Sequence, residues 1–452
     1  MKIARNRFFS IVQAAVLLFL FQAFPTQAEE NGADRETNPG NQQDERWNLH
    51  FQSTVVTQGH SNFSALYSGT NSISPSAETA TSFSSTLYLG GKLGDHTEFY
   101  INPELLAGSG VSSTLGLAGA PNGEIYRVDD PHPEFNLSRI YLKEIVELGG
   151  GRETFDDDLN QLAASYDIRR VTISAGKFSL VDFFDHNRYS DDPRTQFLNW
   201  SIMYNGAWDF AADTRGYTWG AVLELFEPGW SLRYAIVQVP EEANQMKMDG
   251  NLAQAHSQNL EWEARYRISS KPGALRVIGF ANSAHMGNYR ETIINPVYQM
   301  NITQDRQYRV KYGFGTSLEQ QFSPDFGGSL RIGWNDGSTE TWAFTEIDRT
   351  ASLVFSLKGS RWQRPEDNLG IGLVINGLSE DHADYLAAGG YGFIIGDGRL
   401  NYAPEEILEV YYAWNILKYF TWSPDFQFVN HPAYNQDRGP VYLFGIRLHF
   451  EI

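Results

Sequence analysis

The sequence predicts an all-β protein, a transmembrane antiparallel β-barrel of about 16 strands. Three observations predict it: an N-terminus typical of exported proteins, apolar residues that alternate with polar ones along the rest of the chain, and an amphipathic strand at the C-terminus. No run of about 18 apolar residues follows the N-terminal segment. An exported chain that crosses a membrane without such a run does so as a closed barrel.

The first residues have the pattern of an export signal. Lys2, Arg5 and Arg7 precede an apolar run over residues 11–21, and a small-x-small cleavage pattern follows at residues 26–28. This pattern predicts a signal peptide, because the apolar run is shorter than the ~20 residues of a spanning helix.

Three segments follow from this interpretation. The signal peptide is expected over residues 1–28. Residues 29–46 are polar and acidic and lack periodicity, which predicts a flexible periplasmic segment. The barrel domain is expected over residues 47–452.

A period of two dominates residues 47–452 and predicts β-strands. Leu260 and Trp262, for example, alternate with Glu261 and Glu263. A soluble β-sandwich also alternates, so the period alone leaves open which face is inside. Aromatic rings near strand ends and polar faces that mix Arg with Glu favour lipid outside and water inside.

The last strand strengthens this interpretation. Tyr442, Phe444 and Ile446 alternate with polar residues that include Arg447 and His449. A chain that ends within an amphipathic strand is typical of outer-membrane barrels. At roughly ten residues per strand plus connections, the chain accommodates about 16 strands.

Composition excludes several classes of function. The formal net charge is −19, which disfavours binding to nucleic acid. The chain has no cysteine, so disulfides and thiolate sites are excluded. It also lacks HExxH, GxSxG and phosphate-loop motifs. We therefore expect no enzyme activity, no cofactor and no metal.

Seven segments together resemble the carbohydrate-selective porins of the OprB family. They span nearly the whole chain after the signal peptide, and they are residues 99–110 (FYINPELLAGSG), 114–128 (TLGLAGAPNGEIYRV), 190–200 (SDDPRTQFLNW), 205–221 (NGAWDFAADTRGYTWGA), 331–349 (RIGWNDGSTETWAFTEIDR), 385–405 (YLAAGGYGFIIGDGRLNYAPE) and 431–441 (HPAYNQDRGPV). The resemblance implies a barrel of the bacterial outer membrane with loops folded inward. It also implies diffusion of mono- and small oligosaccharides into the periplasm through a channel lined by Arg, Glu and aromatic residues.

Strand-borne candidates for the channel constriction are Glu98, Glu104 and Arg139. Arg139 shares a strand face with Lys143, and a guanidinium offers hydroxyl groups several donors. The alternative is that such charges brace the barrel wall, with Arg139 paired to Glu104 or Glu147.

A dense stretch of charged and aromatic residues predicts a loop, and the resemblance implies that this loop narrows the lumen. Its candidates are Arg194, Trp208, Asp209, Asp213 and Arg215. The alternative is a capping loop held by its own Asp and Arg pairs.

A second cluster, around a turn at residues 335–337, contributes Trp334 and Glu340 as sugar-facing or structural residues.

The expected partners are a carbohydrate substrate and outer-membrane lipid, and the sequence leaves open a monomer or a homotrimer. The alternative function is a secreted or surface-bound β-sheet protein that binds glycans without transporting them.

Overall fold

The computed structural model describes residues 45–124, 131–342 and 345–452. Within these residues the strands are β1 (Trp47–His60), β2 (Glu78–Lys92), β3 (Thr97–Gly108), β4 (Glu134–Glu147), β5 (Arg152–Phe155), β6 (Ala164–Asp167), β7 (Arg170–Phe178), β8 (Thr218–Glu227), β9 (Trp230–Val237), β10 (His256–Ile268), β11 (Lys271–Met286), β12 (Gln307–Ser323), β13 (Phe326–Asn335), β14 (Arg349–Gly359), β15 (Arg364–Gly377), β16 (Glu405–Leu417), β17 (Phe420–Asn430) and β18 (Val441–Glu451).

The helices and helical turns of these residues are short. They are Val111–Thr114, Leu180–Asp182, Trp200–Met203, Tyr289–Ile294, Pro296–Tyr298, Ile302–Asp305, Ser360–Trp362, Glu380–Ala387 and Pro432–Tyr434. Among the described residues, none of the helices has the length and apolar character that crossing a membrane requires.

Sixteen of the strands form one closed antiparallel barrel, as the sequence predicts. Each pairs with its neighbour along the chain, except that β4 pairs directly with β7. The barrel closes where β1 pairs with β18, from Gln52↔Glu451 to His60↔Leu443. Strands β5 and β6 form a separate hairpin. A closed barrel is not a sandwich, so the β-sandwich alternative is wrong.

The apolar face of each barrel strand points outward. On β18, Phe444 is 60% exposed while Arg447 is 1% exposed. On β10, Leu260 and Trp262 are exposed while Glu261 is buried. The alternation of the sequence therefore separates an apolar outer surface from a polar interior.

The two ends of the barrel differ in the length of their connections. Most connections at the end where β1 begins are tight turns, namely residues 93–96, 228–229, 269–270, 324–325, 360–363 and 418–419. The exception is residues 148–169, which contain the β5–β6 hairpin. Longer connections, such as residues 179–217, lie at the opposite end.

The predicted signal peptide and all but the end of the predicted periplasmic segment lie outside the described residues. Glu45 and Arg46 are described. The Glu45 N–H donates to the Ala163 carbonyl at 2.9 Å, and the Lys92 N–H donates to the Arg46 carbonyl at 2.9 Å.

Candidate functional site

The loop of residues 179–217, here called the crossing loop, extends across the lumen. Side chains of the wall strands β13 and β18 hold it in place. Arg331 on β13 donates to the Asp185 carboxylate at 3.1 Å and to the Ser190 hydroxyl at 2.6 Å. Arg447 on β18 donates to the Pro193 carbonyl at 2.6 Å. Both arginines are almost completely buried. The loop is therefore part of the barrel interior.

Carboxylates of the wall accept backbone groups from this loop and from the loop before it. Glu409 accepts the Leu198 N–H at 2.6 Å and the Asn199 N–H at 3.0 Å. Glu405 accepts the N–H groups of Ala118 and Gly119 at 3.0 and 2.9 Å. Unpaired backbone groups are costly when buried, so these carboxylates allow loop backbone to lie inside the barrel.

Local sequence explains how the crossing loop turns within the lumen. Asn199 precedes the one-turn helix Trp200–Met203, and its side chain accepts the Ser201 N–H at 3.1 Å. Asn is a favoured N-cap residue because its side-chain oxygen satisfies a free N–H of the first turn. The same Asn199 amide donates to Gln427 on β17 at 3.1 Å, which joins the cap to the wall.

A cavity of about 560 Å³ remains between this loop and the opposite wall. The wall contributes Gln52, Tyr88, Arg139, Tyr141, Lys143 and Glu224. The crossing loop contributes, among others, Asp182, His186, Asp191, Asp192, Arg194, Trp200, Tyr204, Phe210, Arg215 and Tyr217. Glu124 and residues 158–161 complete the lining. Charged groups and aromatic rings thus face one polar space.

Three aromatic rings of the loop form an aromatic platform, which we define as Trp200, Tyr204 and Phe210. The Trp200 ring lies 6.2 Å from the Tyr204 ring and 6.4 Å from the Phe210 ring, measured between centroids. The Trp200 and Phe210 rings are stacked at 26°. Flat apolar surfaces of this kind suit the faces of a sugar ring.

Arg194 connects the crossing loop to the cavity wall. Its guanidinium donates to Glu124 at 2.7 Å, to the Tyr88 hydroxyl at 2.7 Å and to Gln52 at 3.0 Å. It also lies 3.4 Å from Glu104. Burial raises the pKa of Glu124, although the charge of Arg194 opposes this effect.

Arg139 is bound to the start of the same loop. It donates to both oxygens of Asp182, at 2.7 and 2.6 Å, and its guanidinium lies 5.2 Å from the centre of the Tyr217 ring. The predicted bracing partners Glu104 and Glu147 are therefore wrong, because the loop brings Asp182 closer. A bidentate pair of this kind fixes orientation as well as charge.

His186 adds a titratable group to the lining. Its Nδ1 lies 3.1 Å from an Asp191 oxygen, and its Nε2 lies 3.0 Å from the Asp182 carbonyl. Burial disfavours the charged imidazole, but the hydrogen bond and charge of Asp191 outweigh burial and raise its pKa to about 9. The ring is therefore cationic at neutral pH.

Three of the predicted constriction residues line the cavity: Arg139, Arg194 and Arg215. Glu104 points inward behind them and accepts the Tyr217 hydroxyl at 3.0 Å.

Glu98 also points inward, nearer the end with the tight turns. It accepts the hydroxyls of Tyr100 at 2.7 Å and Tyr166 at 2.6 Å, and it lies 3.3 Å from Lys143. Both carboxylates are buried, so they position lining residues and do not themselves line the cavity.

Trp208 and Asp209 are buried away from the cavity. The Trp208 indole donates to Asn259 on β10 at 2.9 Å, and Asp209 accepts the Trp342 N–H at 2.9 Å. These contacts correct their predicted placement in the constriction, because both residues fasten loops to one another and to the wall.

The predicted placement of Asp213 and Glu340 in the constriction is also wrong, because neither residue lines the cavity. Asp213 accepts the N–H groups of Arg215 at 2.9 Å and Tyr217 at 3.1 Å, which positions these two lining residues. Glu340 accepts two hydrogen bonds from Arg306, at 2.9 and 2.8 Å, outside the cavity lining.

The prediction that Trp334 lies in the lumen is wrong, because this residue lies on the outer face of β13. Its ring contacts those of Tyr312 and Phe314, at 6.0 and 5.7 Å between centroids. Both of these rings are at least half exposed on the apolar surface. Its neighbours Gly333 and Asn335 are buried on the inner face of the strand, so the strand period alone would have placed Trp334 outside.

Sequence reasoning did not single out Tyr88, Asp182, His186 or the segment 148–169. Alternation could have placed Tyr88 inside, since it shares a face of β2 with Thr86. Three successive glycines, Gly149 to Gly151, have φ of 87°, 90° and 96°, and such a run signals that the strand ends there.

Comparison with known proteins decides the family. Residues 70–452 match the family described as carbohydrate-selective porin, OprB family. The chain belongs to this family. As an OprB-family porin it is a β-barrel of the bacterial outer membrane, and the family is one of channels and not a class of enzymes.

A solved OprB structure shares the fold of this chain. The structure described as the high pH structure of Pseudomonas putida OprB has a TM-score of 0.68 at 15% identity, covering 90% of this chain and 94% of that chain. The low pH structure of the same protein has a TM-score of 0.49 at 11% identity, covering 90% and 93%. OmpF of Salmonella typhi in complex with daunomycin has a TM-score of 0.45 at 8% identity, covering 90% and 97%. No curated protein matches the chain.

Membership of the OprB family also orients the barrel. In bacterial outer-membrane barrels the tight turns face the periplasm and the longer loops face outward. The crossing loop therefore enters the lumen of this porin from the outside, and residues 148–169 lie at the periplasmic end.

Proposed function

We propose that this porin passes mono- and small oligosaccharides into the periplasm through the cavity of about 560 Å³. One observation carries the proposal: the aromatic platform shares that cavity with Arg139, Arg194 and Arg215. The volume is within the range of small-molecule sites, ~300–1,000 Å³. These residues bind and release the sugar without changing it chemically.

The chemistry of the lining suits polyols. Guanidinium groups donate hydrogen bonds to hydroxyls, and carboxylates such as Asp191 and Asp192 accept them. Several lining charges are already paired within the protein, as Arg139 is with Asp182. Sugar binding is then weak, and a channel needs weak sites so that the solute leaves again.

We also propose that residues 1–28 are removed on export and that residues 29–46 lie on the periplasmic side of the barrel. The polar composition of residues 29–46 supports this assignment.

The test is sugar block of ion current in planar bilayers. We expect glucose or a related sugar to reduce the current, because a sugar in the cavity displaces ions. Tyr204→Ala removes the half-buried ring of the aromatic platform and is expected to weaken the block severalfold. Liposome swelling with sugars of graded size is the second measurement.

Trp334→Leu is the matched control, since it removes an aromatic ring from the outer face of the wall. We expect its sugar block to equal that of the unmodified protein. Current that stays constant from millimolar to molar sugar, with swelling rates ordered by size alone, would overturn the proposal.

A further inference from the structure

The connection between β4 and β7 is far longer than its neighbours at the periplasmic end. Residues 148–169, here called the strap, join two strands that pair directly from Ile140↔Lys177 to Glu147↔Arg170. A tight turn would suffice to join them, as it does for β8 and β9. Long connections within compact folds commonly have a function of their own.

The strap is folded and packed against the wall. Its hairpin pairs from Arg152↔Asp167 to Phe155↔Ala164. The Tyr166 ring is buried beside Ala164 and Ile145 of β4, and its hydroxyl donates to Glu98 on β3 at 2.6 Å. These contacts fix the base of the strap.

The strap also extends sideways across the end of the barrel. Asp157 accepts a hydrogen bond from Asn48 at 2.7 Å and lies 2.8 Å from the His50 Nε2. The Asn48 amide donates to the Gln161 carbonyl at 2.9 Å as well. Asn48 and His50 belong to β1, which β2 and β3 separate from β4. The strap therefore spans this sector of the periplasmic mouth.

The tip of the strap reaches the cavity. Asp158, Leu159, Asn160 and Gln161, here called the exit rim, line the same cavity as Arg139. The Asn160 Oδ1 is buried and has no hydrogen-bond partner among the described residues. Buried polar atoms are nearly always paired, so a hydroxyl from water or a solute is the expected partner.

We propose that the exit rim is a second constriction, which hydrogen-bonds neutral polyols as they leave the cavity for the periplasm. The inference deepens the proposed function and rests on it. The crossing loop selects at the outer side, and the exit rim selects again at the periplasmic side. The amide of Asn160 and the carboxylate of Asp158 supply the hydrogen-bonding groups.

The first test opens the exit rim. The double variant Leu159→Ala with Asn160→Gly shortens the first side chain to a methyl group and removes the second, and glycine tolerates the φ of 52° at position 160. We expect single-channel conductance to rise by about 1.5- to 2-fold and larger polyethylene glycols to enter the pore. Thr154→Ala, exposed on the same hairpin, is the control and leaves both quantities unchanged.

The second test leaves the hairpin nearly intact. The chain contains no cysteine, so Asn160→Cys provides a single thiol. We expect a methanethiosulfonate reagent to attach there and to lower the conductance, while labelled Thr154→Cys conducts as before.

The outcomes separate the inference from the proposed function. Unchanged conductance after both opening and labelling at position 160 overturns the exit rim, even if sugar block persists. Altered polyethylene glycol entry without any sugar block supports a constriction but overturns its role toward polyols, together with the proposed function. Altered entry, weaker block by glucose and faster swelling with maltotriose support the whole inference.

Discussion

The two sides of the crossing loop contain the same kinds of residue, but they differ in the groups that surround these residues. On the packed side, which faces β10 to β18, arginines such as Arg331 and Arg447 bond to loop carbonyls and are buried. On the open side, which faces β1 to β4 and β8, Arg139 and Lys143 line a cavity. Charge in a barrel lumen therefore indicates a channel only where the protein leaves room beside it.

Where the packed side meets the open side, the wall is reinforced by its own charges. Arg233 on β9 lies 3.2 Å from Glu224, 3.0 Å from Glu261 and 3.2 Å from Glu263. Arg276 on β11 continues the network through Glu263 at 3.0 Å. Such pairs offset part of the cost of burying each charge and connect neighbouring strands of the wall.

The largest effect is expected from breaking the packed side. Arg331→Ala leaves the Asp185 carboxylate buried without its cation, and removal of one partner of a buried pair costs about 3–5 kcal/mol. We expect a lower unfolding temperature, faster protease cleavage within residues 179–217 and a conductance that is larger and noisier. The measurements are heat-modifiable gel mobility, limited proteolysis and single-channel recording.

Arg361→Ala is the control for that loss of charge, because Arg361 is exposed in a tight turn at the periplasmic end. It is expected to match the unmodified protein in all three measurements. Wild-type proteolysis and conductance in Arg331→Ala would mean that the other wall contacts suffice to hold the loop.

A smaller effect is expected on the open side, where water reaches the groups that are left behind. Arg139→Ala removes the partner of Asp182, whose side chain is 22% exposed. A charged hydrogen bond is worth about 1.5–3 kcal/mol when buried and less in a wet lumen. We expect sugar block to weaken severalfold, conductance to rise and the melting temperature to fall only slightly.

Arg139→Lys sharpens this test, because lysine keeps the charge but loses the bidentate geometry. We expect intermediate block from it. Measuring block and melting on one preparation distinguishes the two roles: unchanged block with a lower melting temperature would show that Arg139 only braces the loop.

The comparison of the two sides also explains what the sequence could predict. The strand period placed the wall correctly because it depends only on which residues face lipid. It could not distinguish Arg331 from Arg139, since both point inward and their difference arises from where a distant loop lies. Trp208 and Asp209 were misplaced for the same reason: a charged and aromatic loop can either line a space or fill it.

The smallest effect is expected from His186, at the boundary of the two sides. Asp182 and Asp191 contact the ring, and the charges of Arg233 and Glu261 also act on it. Because its pKa is raised to about 9, His186 is charged at pH 7 and loses its proton as the pH rises through 9. The lining then becomes more negative, so preference for cations over anions should increase from pH 7 to about pH 10.

Reversal potentials in a KCl gradient measure this change, which we expect to be less than about twofold in the permeability ratio. His186→Gln lacks the charge at every pH, so it should show the stronger cation preference already at pH 7. Its cation preference should then increase less between pH 7 and about pH 10 than that of the unmodified protein. His285→Gln is the control, since His285 is exposed on the outer face of β11. If the cation preference of His186→Gln increased with pH as much as that of the unmodified protein, other lining groups would cause the increase. The charge of His186 would then have no influence on the ions in the open side of the lumen.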